Sequence, residues 1–250
     1  MSRNKITIGI LFLTMLVGMA LIPAVNAQEE LTASEKPSEW EQGLIDALNS
    51  NTKTFSTDDL ILNYCEANKD KISILKNNTA SEKSKLRTYE LKDGSDITFT
   101  NENFFFVTNM TEEPNNKTIT QSTTAATSSV NLDYTDTITA SQSFYNIMGG
   151  RLFTIYSKGY YGYSISPAIV EAHYIDAWYT LGTPTIFQVS NWQEGASDNT
   201  VTHISEIYGS GHFHWGFEIA GAGLVLYDKN IKVYSTCDQF GNVHRTYEMT

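Results

Sequence analysis

Hydrophobic spacing changes character several times along this chain of 250 residues. An apolar run from Ile6 to Ile22 comes first, broken only by small or weakly polar residues. Arg3 and Lys5 precede it and Pro23 closes it. Beyond the charged residues that begin at Glu29, helical spacing appears. Trp40, Leu44, Ala47 and Leu48 predict a short amphipathic helix over residues 37–48, with Ser34 or Ser38 available as a cap. Ser56-Thr57-Asp58-Asp59 opens a second helix, with carboxylates in the turn where the helix dipole favours them. Leu60, Ile61, Tyr64 and Cys65 carry it on toward Leu75.

From Lys85 the period becomes two. Lys92-Asp93-Gly94-Ser95 predicts a hairpin turn, because Asp-Gly accepts the positive φ such a turn requires. Ile97, Phe99 and then Phe104 to Val107 supply the next strands. Residues 28–107 therefore read as a small α+β unit of two helices and a hairpin. Residues 108–130, rich in Thr, Asn and Ser, read as a linker too polar to offset its own ordering entropy.

From Asn131 to Thr250 strand-like runs follow one another with turn signals about every 8–12 residues. They include residues 134–140, 151–157, 160–164, 170–179, 185–192, 200–208, 212–219, 223–227, 231–236 and 243–248. Turns are expected at Gly149-Gly150, Glu194-Gly195, Gly209-Ser210-Gly211, Asp228-Lys229-Asn230 and Gly241-Asn242, among others. The predicted class is mainly β: a C-terminal antiparallel β-sandwich over residues 131–250, preceded by the small α+β unit and the polar linker.

The opening run has the make-up of an export signal. Arg3 and Lys5 form its positive end, and Val25-Asn26-Ala27 offers small or β-branched residues to a signal peptidase. Residues 1–27 are expected to be removed, leaving a secreted or envelope-associated protein with no membrane span. The competing reading is an uncleaved anchor, since the run approaches the minimum of about 17 residues that cross a bilayer. Cleavage would remove two basic groups and no acid, taking the net charge from −11 to −13. A chain this acidic, with no basic stripe, is repelled by nucleic acid within a Debye length of about 10 Å. Nucleic-acid binding is therefore excluded as an expectation.

Cys65 and Cys237 are the only cysteines. In an exported chain they can form a disulfide between the α+β unit and the last hairpin, or each can be a buried apolar residue. Asn77, Asn109 and Asn116 each begin an Asn-x-Thr sequon, a candidate glycan acceptor in a host that glycosylates.

The sharpest local motif is His212-Phe213-His214-Trp215. On a strand the two histidines share a face and can bind zinc or copper if a third ligand joins them. Glu218 is the expected partner, with His203 and Glu206 as alternatives. Glu171, Asp176, Glu194, Glu206 and Glu218 form an inventory from which a glycosidase carboxylate pair could be drawn, although no pair stands out by spacing. Nucleophile-elbow, His-Glu-x-x-His and dinucleotide-loop signatures do not occur, and no cofactor is expected.

The run from Tyr156 to Tyr163 combines aromatics with two glycines. Tyr160, Tyr161, Tyr163, Trp178, Asn191, Trp192 and Trp215 are the candidate ligand-binding residues, because rigid rings and amides suit a glycan or protein surface. Core packing is the competing reading for the tyrosines. Three functions follow. The first is a secreted, non-catalytic binding protein. The second is a secreted bacteriocin-like antagonist with residues 28–130 as a pro-region. The third is a small secreted hydrolase using His and carboxylate chemistry.

Overall fold

The computed structural model describes residues 36–51, 55–72, 86–115, 130–219 and 223–250. The expected export signal, the far end of the helix extension at Leu75, two sequons at Asn77 and Asn116, and most of the expected linker lie outside them. Within them the second helix stops at Ala67, and a short 3-10 turn over Lys69–Lys71 replaces the start of the extension. All described residues belong to one compact unit.

Two helices come first. α1 (Glu39–Asn49) begins at Ser38, whose hydroxyl accepts from the Glu41 amide at 3.3 Å while the Glu41 carboxylate accepts from the Ser38 amide at 2.8 Å. This reciprocal pair satisfies two of the donors that a helix start leaves open. α2 (Thr57–Ala67) begins at Ser56, which accepts from the Asp59 amide at 3.1 Å. Both caps stand where the sequence predicts them.

Two antiparallel sheets follow. In the seven-stranded sheet, β1 (Arg87–Glu90), β2 (Asp96–Phe99), β3 (Phe104–Glu113), β5 (Thr137–Asn146) and β6 (Arg151–Ser164) lie in that order. β4 (Asp133–Tyr134) and β7 (Ile169–Leu181) also pair with β6. The four-stranded sheet runs β11 (Val243–Met249), β10 (Gly223–Asp238), β9 (Ile204–Ile219), β8 (Ile186–Asn199). The fold is thus mainly β, with a sandwich preceded by a helical pair and a hairpin.

Alternation along the strands sorts residues between layers. Phe104, Phe106, Phe144, Phe153, Phe213, Trp215 and Val233 meet between the sheets and are fully or nearly fully buried. Phe99, Phe105, Val107 and Tyr145 point to the other face of the large sheet, where Leu44, Ile45, Ile61 and Cys65 of the helices cover them. Polar contacts fix this roof. Tyr145 donates to Asp58 at 2.7 Å, and Arg87 pairs with Glu41 at 2.6 Å.

The boundary between the α+β unit and the sandwich differs from the sequence expectation. β3 continues through Glu113, six residues into the segment read as a linker from Thr108, and pairs with β5 along its whole length. The hairpin β1–β2 extends the same sheet. Thr108 and Met110 alternate inward here, so the segment is held by ladder bonds and packing although its composition is polar.

Several expected turns are strand interiors. β6 is one strand of 14 residues, and β9 and β10 have 16 each. Gly209 and Gly211 in β9 give space instead of a turn. A Cβ at either would stand 3.2 Å from the Trp192 ring. A strand glycine often marks such a close approach.

The Cys65–Cys237 disulfide is not present. Both thiols are free and buried, Cys65 beneath the helices and Cys237 in a separate cluster with Ile138, Tyr161, Val170 and Ile207. Burial pushes each thiol up to about 12, so neither ionises near neutral pH. No described helix is long and apolar enough to cross a membrane.

Candidate functional site

The helices roof only part of the large sheet. Over β6 and β7 its outer face carries a half-buried aromatic row. Tyr156 stacks on Trp178 with centroids 4.7 Å apart and planes 11° apart. Farther along the strands, Tyr160 stacks on His173 at 4.6 Å and 10°. Tyr134 of β4 leans on both, 6.2 Å from Tyr160 and 5.9 Å from His173. The two stacking distances, 4.7 and 4.6 Å, are close to the spacing of paired strands, about 4.7–4.9 Å, as expected for side chains that stand upright on cross-strand partners. All four stacked residues are half-buried, and the His173 Nε2 is turned away from solvent beside Gly162.

Lys158 and Asp176 are cross-strand partners between the two stacks, and Lys158 also reaches Glu113 of β3 at 2.9 Å. At the far end Glu171 lies 3.9 Å from His173. Burial, with Glu171 and Tyr160 as lesser causes, raises the Tyr134 phenol, which stays a hydrogen-bond donor at neutral pH.

Local sequence explains the arrangement. Ser157, Gly159 and Tyr161 alternate inward, leaving Tyr156, Lys158 and Tyr160 outside. A bulge shifts the register between Lys158 and Gly159 and leaves Ile175 without a direct partner. Without that extra residue Tyr174 would stand opposite Tyr160. With it, His173 does, and Tyr174 turns inward. Gly159 permits the shift, because a Cβ there would lie 2.5 Å from the His173 carbonyl.

The structure brings together only two of the ligand-binding candidates on this face, Tyr160 and Trp178. Tyr161 is fully buried and donates to the Ser235 carbonyl at 2.6 Å. Tyr163 packs in the inner cluster beneath Gly241. Trp215 is fully buried against Phe104, Phe153 and Tyr227. Tyr161 and Trp215 are core residues and Tyr163 is half-buried against the core, because their parity turns them toward the opposite sheet. Asn191 and Trp192 lie elsewhere, at a bulge in edge strand β8. Asn191 adopts φ 52°, and Trp192 packs on Tyr179 and Phe213 while its indole donates to Glu194 at 2.7 Å.

His212, His214 and Glu218 do share one face, the outer face of the small sheet. There His212 contacts Asp228 and accompanies Ser190 at 3.4 Å. No group of three or more metal-ligating side chains forms among the described residues. Glu206 is held by Lys232 at 2.9 and 3.0 Å, and Lys232 lies 5.0 and 4.6 Å from the centroids of the Tyr208 and Tyr234 rings. The carboxylates inventoried above divide among separate surfaces: Glu171 and Asp176 outside the large sheet, Glu194 at the β8 edge, Glu206 and Glu218 outside the small sheet.

The sequence does not single out Tyr134 or His173 for this site, and it marks Tyr156 and Lys158 only as members of the run from Tyr156 to Tyr163. Tyr156 was visible by parity with Tyr160. His173 was not, because its position depends on the bulge. Compared with protein-family models, with curated proteins and with solved structures, the chain matches none.

Proposed function

We propose that this protein is an exported, non-catalytic binding protein. In this reading it meets an extracellular glycan or protein surface through the unroofed outer face of the large sheet. The observation that carries the reading is the pair of upright aromatic stacks flanking Lys158 and Asp176. The rings are packed against each other and so lose little freedom on binding, while each residue is only half-buried and keeps part of its surface open to a partner. Mixed charge between them suits a polar partner better than a lipid surface. Export rests on the sequence of residues 1–27 and on the acidic balance of the chain.

The pro-region alternative loses support from β3. Shedding residues 28–130 would remove three strands of the large sheet and take Phe104 and Phe106 out of the inter-sheet core. The hydrolase alternative loses support from the scatter of its carboxylates.

Sedimentation of the full chain with envelopes and isolated envelope polysaccharide of its own host tests the proposal. Co-sedimentation is expected for the wild type, and a loss of about tenfold or more for the double variant Tyr156→Ala, Trp178→Ala. Equal binding by a folded double variant would overturn the assignment of this face.

A further inference from the structure

A polar belt crosses the interior of the sandwich. On β3 the inward positions read Phe106, Thr108, Met110. On β5 they read Phe144, Gln142, Ala140, Ile138. On β6 they read Ile155, Ser157, Gly159, Tyr161, on β10 Val233, Ser235, Cys237, and on β11 Tyr247, Arg245, Val243. On each strand a polar side chain interrupts the apolar series. The apolar residues on either side belong mainly to two different clusters.

The interruptions coincide in space. Thr108 and Gln142 are direct cross-strand partners, Gln142 pairs with Ile155 two residues from Ser157, and Ser235 pairs with Arg245. Residues so placed on one sheet face are neighbours.

Part of the belt is satisfied within the chain. Arg245 pairs with Asp96 of β2 at 2.7 Å, and Tyr161 bonds to the carbonyl and hydroxyl of Ser235 at 2.6 and 2.8 Å. The middle is not. Thr108 Oγ1, Gln142 Oε1 and Nε2, Ser157 Oγ and Arg245 Nε are all buried, with no hydrogen-bond partner among the described residues. Gln142 and Ser157 are fully buried and Thr108 nearly so. A buried amide or hydroxyl without a partner is costly, and a contiguous group of them more so.

We infer that this belt is a binding site for internal water. The set mixes donors and acceptors, as a water bridge needs, and a bound water takes about three such contacts. An anion is a poor fit, because the one cation, Arg245, is already neutralised by Asp96. The Asp96–Arg245 pair is only partly buried, with 28 % and 20 % of its side chains exposed, and gives the belt an outlet to solvent. Water here ties the two sheets together where neither apolar cluster reaches.

Nuclear magnetic resonance of the isotopically labelled full chain tests this directly. Dipolar cross-peaks between water and the Gln142 side-chain amide, with the sign of a bound molecule, are expected. Two variants add an independent sign. Removing a satisfied polar group weakens a fold, whereas removing an orphaned one strengthens it. Gln142→Leu, and the nearly isosteric Thr108→Val, should each lower the thermal midpoint by about 3 °C or more. Absence of the cross-peaks overturns the inference whatever the variants do. So does a raised midpoint in either variant.

Discussion

The two halves of the large sheet's outer face invite comparison. Both are aromatic, and they belong to one sheet, the first on β2, β3 and β5 and the second on β6 and β7. Under the helices the rings are Phe99, Phe105 and Tyr145. Trp40 of α1 meets the two phenylalanines edge-on at 71° and 73°. Over β6 and β7 they are Tyr156, Trp178, Tyr160 and His173, stacked side by side with charged neighbours. The roofed rings gain from leaving water, at about 25 cal/mol per Å² of apolar surface. The unroofed rings stay half-buried and gain chiefly from each other. Ring content alone therefore does not separate core from contact surface. What covers the rings does: helices over Phe99, Phe105 and Tyr145, and no helix over Tyr156, Trp178, Tyr160 and His173 among the described residues.

The comparison breaks most readily at Phe105. Phe105→Ala empties space under the roof and should cost about 3–5 kcal/mol, read by denaturant unfolding. Trp178→Ala should cost under about 1 kcal/mol in the same titration. If the two variants unfold alike, the open half is core and the distinction fails.

Alkali probes the roofed half next. Burial and then Asp58 raise the Tyr145 phenol strongly, and burial raises the Cys65 thiol to about 12. Each group is neutral when protonated, and its folded value lies above its unfolded one. The stability it contributes is complete below the unfolded pKa and is lost as pH climbs through the folded value. The melting temperature should hold near neutral pH and fall from about pH 9 upward, where an unfolded thiol begins to ionise. A midpoint unchanged to pH 11 would show that neither group is shielded.

Thiol chemistry gives a finer reading. Neither Cys65 nor Cys237 should react with a disulfide reagent at pH 8 in the native protein, and both should react in denaturant. Intact mass should be the same before and after reduction. Lys158→Glu, on the open half, is the mildest change: its ion pair with Glu113 is partly exposed, and stability should move by less than about 1 kcal/mol. Partner binding should fall and lose part of its salt dependence.

Much of the fold was legible in the chain because its signals are local. Ser38 and Ser56 cap the helices as their sequence neighbours suggest, and the Asp93-Gly94 turn joins β1 to β2. Signals with two meanings misled. Gly209 and Gly211 resemble turn residues but make room for Trp192, and the polar composition of residues 108–113 conceals a strand whose alternation carries Thr108 and Met110 inward. The site was half legible. Tyr160 and Trp178 could be chosen by residue type, but sorting them from Tyr161 and Trp215 requires knowing which parity faces the second sheet. His173 depends on one unpaired residue in β7, and a single sequence does not announce a bulge.

β3 has one more consequence. Phe104 and Phe106 serve the seam between the sheets, while Phe105 and Val107 serve the seam beneath the helices. Neither seam can loosen along this strand without disturbing the other. Heating should accordingly melt helices and both sheets in one calorimetric peak, its van 't Hoff enthalpy matching the measured heat, although the chain joins three layers.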